Sequence, residues 1–459
     1  MLLFSKAVIE ALELSAHVIF LMFAFFLQVM FFAGIIAIWN KRRTNGSMRK
    51  PFGRNVDEKH LPYITTLLAV YDEAECLERN CVWFERVRYP KDRCELLILT
   101  EEDDPRTNAV AARMAAIYPN VRHEIIPADY LGAKHPHNKP RALAYGLTVL
   151  TPEAEVVGVL DAEDLISPDV FSNVAEHIHE YPIVQGRLGI KNSRENLLSY
   201  WCGCEYALLE IMQSGRDFLG WMKFPRGTTY FVRRDVVEKT GWSTRNVTED
   251  LAFNVRVYAR GHESGLIDST TWEESPLELG VWIKQRTRWF QGALQTIKED
   301  IDLSRLSLVQ RLSVQQLVYH IVVIPLFCAV MLPLFLYDSV LAVGLGLPSI
   351  INPSDVYRPL WYLNSVCLLL VCLEFAAAVI IRYRRHPDLL ARLSACLLLP
   401  LMFMFLLPVP AVRACWREWK GRGEWEKTRH RGETCDPETQ ITDGAVSAAK
   451  TAEETIPAA

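Results

Sequence analysis

Four long apolar runs divide the chain unevenly, one near its start and three toward its end. Residues 18–39 are apolar throughout apart from Gln28, enough to cross a bilayer at about 20 residues per span. Residues 317–336, 359–381 and 389–412 repeat the pattern. Any one of these runs would also suit a buried core helix, but four of them grouped at two ends predict transmembrane helices. The first is too long for the apolar part of a signal peptide and lacks a short basic lead and a small-residue cleavage site, so a retained anchor is expected. Lys41, Arg42, Arg43, Arg49, Lys50 and Arg54 follow it, against Lys6 alone before it. The positive-inside bias then puts the N-terminus outside and residues 40–310 in the cytoplasm. At the other end the bias conflicts with itself. Arg382, Arg384 and Arg385 follow the third run and Arg413, Arg417, Lys420 and Arg422 the fourth, with a single crossing between them. Either Pro400, Pro408 and Pro410 break the fourth run into a re-entrant hairpin, or the stretch 317–350 hides a further crossing.

Between the apolar ends the period changes. Residues 63–71 (YITTLLAVY), 95–99 (ELLIL), 121–127 and 156–160 (VVGVL) are short apolar runs that predict buried strands. Helical patterns run from Glu75 to about Arg86, over 107–116 and over 140–150. Strands alternating with helices predict an α/β domain, a mixed and mainly parallel sheet with helices on both faces. Ligands in such sheets bind at the carboxyl ends of the strands. Acidic groups stand there three times, at residues 72–73, 101–104 and 161–164. Residues 290–312 alternate Leu294, Ile297, Ile301, Leu308 and Leu312 with Lys298, Glu299, Asp300 and Arg311, which suits a helix on the bilayer surface or an ordinary surface helix. Residues 434–459, rich in Thr, Ala, Glu and Pro, are expected to be disordered. The expected divisions are an anchor (1–40), a catalytic domain (41–289), an amphipathic segment (290–316), a transmembrane region (317–412) and a basic, then disordered tail (413–459).

Composition adds less. Of 459 residues 50% are hydrophobic, and the net charge of −4 offers no electrostatic case for nucleic acid. The 11 cysteines include no C-x-x-C pair, and Cys202-x-Cys204 is too isolated for a zinc site. Free thiols in a reducing compartment are expected.

The chemistry lies in three motifs in order: Asp161-Ala162-Glu163-Asp164, Thr248-Glu249-Asp250 and Gln285-Arg286-Thr287-Arg288-Trp289. Each alone has a bland explanation: an acidic loop, a helix start capped by Asn246 or Thr248, and an amphipathic helix with Trp289 in the core. Together, flanked by apolar spans, they resemble the membrane-embedded family-2 glycosyltransferases of the cellulose, chitin and hyaluronan synthase group, with a GT-A-like fold. Within that group the D-A-E-D segment and Trp425-Glu426-Lys427-Thr428-Arg429-His430 look closest to bacterial exopolysaccharide β-glycan synthases.

The resemblance implies a role for each residue. Asp161 and Glu163, at alternate positions after a strand, correspond to a D-x-D pair that holds Mg²⁺ or Mn²⁺ on a nucleotide diphosphate; Asp164 is a third carboxylate available to that metal. Asp250 corresponds to the base that takes a proton from the acceptor hydroxyl, with Glu249 in support. Arg288 would meet the diphosphate as charge develops on it, Trp289 would stack on an acceptor sugar, and Gln285 would hydrogen-bond either. Asp72 and Glu73, with Glu101, Glu102 and Asp103, occupy the places of the uridine contacts. Asp161 lies beside the donor, and Lys139 in Lys139-Pro140-Arg141-Ala142 would approach its phosphates. Gln185-Gly186-Arg187 and Gly227-Thr228-Thr229 match segments near the acceptor and the donor sugar, and Trp272-Glu273-Glu274-Ser275-Pro276 matches a gating segment. The expected activity is inverting, processive transfer of a sugar, glucose first and N-acetylglucosamine next, from a UDP-sugar donor to a growing glycan acceptor. The expected place is a bacterial inner membrane, crossed several times with the catalytic domain cytoplasmic, and an export or regulatory subunit is a further expectation. The alternatives are transfer of one sugar to a polyprenyl phosphate or other lipid, and a catalytically silent membrane scaffold.

Overall fold

The structure is a computed structural model that describes residues 6–43, 61–132, 138–223, 226–323, 325–327, 329, 358–384 and 386–421. Helix α1 (Lys6–Arg43) leads into the catalytic domain. There β1 (Ile64–Val70), α2 (Ala74–Glu85), β2 (Cys94–Glu101), α3 (Pro105–Ile117), β3 (Val121–Ile126), α4 (Lys139–Thr148) and β4 (Val156–Leu160) alternate as the apolar period predicts. Then come β5 (Leu165–Ile166), α5 (Val170–His177), β6 (Ile183–Ile190), α6 (Leu197–Phe218), β7 (Tyr230–Arg233), α7 (Arg234–Thr240), α8 (Glu249–Ala259), β8 (Ser264–Glu273), α9 (Leu279–Lys298) and α10 (Leu308–Val318). The described chain closes with α11 (Arg358–Tyr383), α12 (Leu389–Phe405) and α13 (Pro408–Trp419).

All eight strands form one mixed sheet in the order β3-β2-β1-β4-β7-β6-β8-β5. Strands β3, β2, β1 and β4 run parallel, as do β6 and β8, while β7 and β5 pair antiparallel with their neighbours. Successive side chains on a strand face opposite ways, and both faces of this sheet are covered. Ile64, Leu68, Leu96 and Ile98 pack under α2, α3 and α5 through Leu77, Phe84, Met114 and Phe171. Leu67, Leu97, Leu99 and Val157 pack on the other face under α4, α7 and α8 through Leu143, Val237 and Phe253. Burial on both faces explains why these strands read as continuous apolar runs. Because β2, β1 and β4 are parallel neighbours, their carboxyl ends, and the acids that follow them, share one edge of the sheet.

A second core joins this domain to the apolar helices. Leu27, Met30 and Phe31 of α1, Leu208, Ile211 and Met212 of α6, Trp282 and Phe290 of α9, and Val371, Phe375 and Ala378 of α11 are buried together. Helices α1 and α6 cross at two glycines: a Cβ on Gly34 would lie 2.1 Å from the Ile211 carbonyl oxygen, and one on Gly215 would lie 1.9 Å from that of Met30. Only residues without side chains permit backbones so close.

Among the described residues, two helices are long and apolar enough to cross a membrane, His17–Asn40 and Tyr362–Tyr383. The expected span over 389–412 is corrected. It breaks at Leu406 and Leu407 into α12, whose apolar part Leu389–Leu398 is too short for a span, and the amphipathic α13, which packs on α9. The break falls before Pro408, as proline at the first helical position allows; the backbone remains helical through Pro400. The expected span over 317–336 is described only over 317–323, 325–327 and 329, and Trp425–His430 and the 434–459 tail lie outside the described residues. The expected amphipathic helix over 290–312 is also corrected: α9 carries Gln285 to Trp289 and Lys298 on one rod, and Glu299–Ser307 separate it from α10. The nine described cysteines are free thiols.

Candidate active site

The carboxyl edge of the sheet opens into a cavity of about 570 Å³. Its wall is assembled from loops that the fold holds rigidly. After β1 the chain turns through Asp72, whose φ of +51° is rare for a residue with a side chain. The Asp72 N–H donates to Asp104 Oδ2 at 2.5 Å, and Asp104 Oδ1 caps α3 by accepting from the Thr107 N–H at 3.1 Å. This turn presents Tyr71 and Glu73 to the cavity; Asp72 is not among the lining residues. After β2, Glu101 lines the cavity and is buried, its carboxylate held by Arg141 at 2.5 Å. Glu102 and Asp103 are exposed, and Glu102 accepts from the Ala128 N–H at 2.9 Å. Of the acids expected around uridine, the structure brings Glu73 and Glu101 to the cavity and leaves Asp72, Glu102 and Asp103 outside it.

After β4, Asp161 and Glu163 both line the cavity, as alternate positions after a strand should. Asp164 does not. It is 1% exposed, and its Oδ2 accepts from the Asp161 N–H at 2.9 Å and from the Thr228 hydroxyl. Burial, with Asp161 and Glu163 adding to it, raises the Asp164 pKa well above the ordinary carboxylate range. Asp164 therefore shapes the turn that aims Asp161. Among the described residues no three His, Cys, Asp or Glu side chains converge as a metal cage. Two carboxylates suffice where a diphosphate supplies the other oxygens, the usual arrangement for Mg²⁺, and Asp161 with Glu163 fits it.

Lys139, the first residue of α4, pairs with Asp161, donates to the Gly227 carbonyl at 2.5 Å and lies 3.7 Å from Glu249 Oε1. Burial disfavours its charge, but Asp161 and Glu249 outweigh that and raise its pKa. Gly227 sits at the centre of this group: a Cβ there would be 3.8 Å from Asp250 Oδ2, 3.9 Å from Lys139 Nζ and 4.0 Å from Glu249 Oε1. Three segments far apart in sequence thus meet around one glycine. Glu249 and Asp250 stand in the first turn of α8, where the helix dipole favours negative charge. Even so, burial pushes Glu249 up to about 7, and it raises Asp250 against the opposing Leu251 N–H and Lys139. Thr248 occupies the cap position without a side-chain bond to the helix. Asn246 instead accepts from the Thr248 N–H at 2.9 Å and reaches across to Thr296 of α9 at 3.0 Å.

Helix α9 supplies the remaining wall. Gln285, Arg288 and Trp289 all line the cavity. Between them the buried Arg286 pairs with Glu205 of α6 at 2.5 Å and stacks on the Trp289 ring, its guanidinium carbon 4.1 Å from the centroid. One face of the expected sugar platform is therefore already used by the protein. Sequence reading gave no role to Arg286, Glu205, Tyr206 or Arg226, all of which line the cavity. Tyr206 donates to Glu273 at 2.9 Å, and burial pushes Glu273 up to about 7. Arg226 pairs with Glu210 of α6. The Asn196–Ser199 capping box at the start of α6 was the available signal.

Beyond these polar groups the same cavity continues between α1, α6 and α11, where Phe20, Phe23, Leu27, Met212, Val371 and Phe375 line it.

This arrangement has relatives. The chain is 26% identical over 255 residues to the probable glycosyltransferase YdaM of Bacillus subtilis, covering 52% of this chain and 59% of that one. It is 24% identical over 239 residues to the beta-monoglucosyldiacylglycerol synthase of Synechocystis (51% and 48% covered). It is 26% identical over 286 residues to the poly-beta-1,6-N-acetyl-D-glucosamine synthase of Staphylococcus aureus (61% and 66% covered). The chain thus matches about half to two-thirds of the length of these curated relatives. A mannosyltransferase of Pyrobaculum calidifontis, solved with GDP-Man and Mn²⁺, superposes with a TM-score of 0.49 at 16% identity, over 86% of this chain and 99% of that one. The model of "Glycosyl transferase family group 2" matches residues 156–409. That match begins at β4, takes in Asp161, Asp250 and the whole of α9, and covers more than half of the sequence: the chain belongs to glycosyl transferase family group 2.

Proposed function

We propose that the protein transfers a sugar from a UDP-sugar donor with inversion, using Asp250 as the base. The observation that carries this reading is the meeting of Lys139, Glu249 and Asp250 around Gly227, with Asp161 paired to Lys139 and with Arg288 and Trp289 lining the same cavity. Asp161 and Glu163 would hold Mg²⁺ or Mn²⁺, which when bound neutralises the diphosphate that leaves. Lys139 and Arg288 add fixed positive charge beside it. Asp250 receives the proton of the attacking hydroxyl. Its raised pKa brings it nearer the working pH, where a general base is most effective. Tyr71, Glu73 and Glu101 form the end of the cavity that suits the nucleoside.

The Q-x-x-R-W helix and the likeness to a poly-N-acetylglucosamine synthase support processive growth of a β-linked polysaccharide, from glucose or N-acetylglucosamine. The basic residues Lys41 to Arg43 at the end of α1 support a cytoplasmic catalytic side, and export through a multi-pass membrane region is part of this reading. A second reading, transfer to a lipid, is favoured by the apolar extension of the cavity and by the likeness to a glucosyldiacylglycerol synthase. The test is UDP release by purified protein with Mg²⁺ or Mn²⁺ across UDP-glucose, UDP-N-acetylglucosamine, UDP-galactose and UDP-glucuronate, with product sizing. Long, glycosidase-sensitive product from one donor is expected. Silence with every donor overturns the reading.

A further inference from the structure

We infer that Asn80 and Lys191 are positioning residues for the divalent ion: they hold the backbone of the acid turn so that the Asp161 and Glu163 carboxylates face the cavity together. The inference rests on the metal role proposed above for those two acids and names what keeps them in place. Neither Asn80 nor Lys191 lines the cavity, and both are buried, at 4% and 2% exposure.

Residues 161–164 lie between β4 and β5, outside the sheet ladder, and a carbonyl removed from water needs a partner from elsewhere. Asn80 of α2 serves three of the four. Its Nδ2 lies 3.2 Å from the Asp164 carbonyl oxygen and 3.4 Å from those of Asp161 and Ala162. The fourth carbonyl, that of Glu163, accepts from Lys191 Nζ at 2.9 Å. Each peptide group is planar. Holding the Ala162 and Glu163 carbonyls therefore fixes the two planes on either side of Glu163, and with them the direction of its Cβ. Asp161 is fixed in the same way: its N–H donates to Asp164 Oδ2 at 2.9 Å and its carbonyl faces Asn80. Rotation of either peptide flanking Glu163 would turn that carboxylate off the face it shares with Asp161.

A buried ammonium is costly unless it is paired. Lys191 stands just past the end of β6, and its Nζ lies 3.6 Å from Glu274 Oε2. Its N–H donates to the Glu273 carbonyl at 2.9 Å, and the next residue, Asn192, exchanges two hydrogen bonds with the Ser275 backbone at 2.8 Å. The ammonium is thus mounted on the ends of two parallel strands, β6 and β8. If charge were all that Lys191 supplied, it would repel a metal ion held by Asp161 and Glu163. Its hydrogen bond to the Glu163 carbonyl acts in the opposite sense. The two roles are therefore separable by the sign of the effect when Lys191 is replaced.

The experiment titrates the full chain in detergent micelles with Mn²⁺ in the presence of UDP, reading free Mn²⁺ by electron paramagnetic resonance. Lys191→Met and Asn80→Ala should each weaken Mn²⁺ binding about tenfold or more, the scale for partners that orient metal ligands. Tyr89→Phe is the control. It removes a buried hydrogen bond of 2.7 Å to the Pro62 carbonyl in the same domain, so it should lower the melting temperature and leave Mn²⁺ binding alone. Unchanged or tighter binding in folded Lys191→Met protein overturns the inference, tighter binding being what the loss of a repelling charge alone gives. Equal weakening in Tyr89→Phe overturns it too, by making the effect one of general stability. If one of the two variants does not fold, the other decides. Absence of Mn²⁺ binding by the wild type with UDP instead removes the metal reading on which the inference rests.

Discussion

Gly292 lies so close to Thr248 that a Cβ on the glycine would come within 1.7 Å of the threonine Oγ1 and 2.6 Å of its Cβ. The contact seats α9, with Gln285, Arg288 and Trp289, against the residue that precedes Glu249 and Asp250 at the start of α8. It fixes the distance between the two motifs. Helix propensity alone would favour alanine over glycine inside α9 by about 1 kcal/mol. The steric contact opposes it, and at these distances backbone has to move. Gly292→Ala should therefore push the α8 start out of place, and a shift of about 1 Å in a catalytic group costs on the order of a hundredfold in rate. UDP release measures the loss. Thr248→Gly in the same chain should restore part of it, and additive losses would show that the two residues are not coupled.

Asp250→Asn should abolish sugar transfer while UDP binding, followed by titration calorimetry, stays within about a few-fold. Full activity in that variant would take the base role from Asp250. In the wild type the rate should rise with pH as the Glu249–Asp250 pair gives up its protons. That rise is expected above the ordinary carboxylate range, since burial raises both Glu249 and Asp250. Glu249→Gln should move the rising limb to lower pH by removing a neighbouring negative charge.

Glu273 makes a prediction about stability. Its carboxyl is pushed from 4.5 to about 7 by burial, so between those values the folded protein holds a proton that the unfolded chain has lost. The stabilisation is full below the unfolded value and is lost as pH rises through about 7. Glu273→Gln should leave the melting temperature nearly unchanged at the acid end of this window and raise it above neutrality. A lower melting temperature at both ends would mean that the Tyr206 hydrogen bond outweighs the titration.

The Arg286–Glu205 pair is buried, and removing one partner from such a pair typically costs about 3–5 kcal/mol. Glu205→Ala should lower the melting temperature sharply and also loosen Trp289, whose ring Arg286 covers. The double change Glu205→Leu with Arg286→Met should recover stability without recovering activity. Full recovery of both would reduce the pair to a packing device.

Chelation should abolish UDP release, and Mn²⁺ or Mg²⁺ should restore it. Asp161→Asn should raise the metal concentration needed. Asp164→Asn should lower thermal stability and leave that concentration alone, because the Asp164 carboxylate faces its own turn and Thr228.

The first four strands and the helices between them were legible because a parallel strand covered on both faces must be apolar at nearly every position. Asp161 and Glu163 were legible for a related reason, the alternation of side chains after a strand. Asp164 was not, since the hydroxyl that turns it inward comes from Thr228, on a distant loop. Helix α6 escaped because its buried face mixes Cys202, Cys204, Glu205 and Arg216 with apolar residues, so no clean amphipathic stripe appears. Missing α6 hid Glu205 and Tyr206, and without Glu205 nothing distinguished Arg286 from a solvated arginine. In the fourth apolar run the prolines signalled a break that hydropathy sums over, but three prolines were candidates and backbone geometry places the break before Pro408 alone.

The last described helix gives the molecule its unity. Glu418 of α13 accepts from Gln291, Gln295 and Lys298, and Arg417 donates to Gln291, four bonds from one turn onto the helix that bears Gln285 and Trp289. Since α1 is locked to α6 through Gly34 and Gly215, the catalytic helix is gripped from both ends of the chain. Cutting away the greasy helices to obtain a soluble enzyme would thus unbolt the floor of the active site, and such a fragment should be inert even where its sheet still folds.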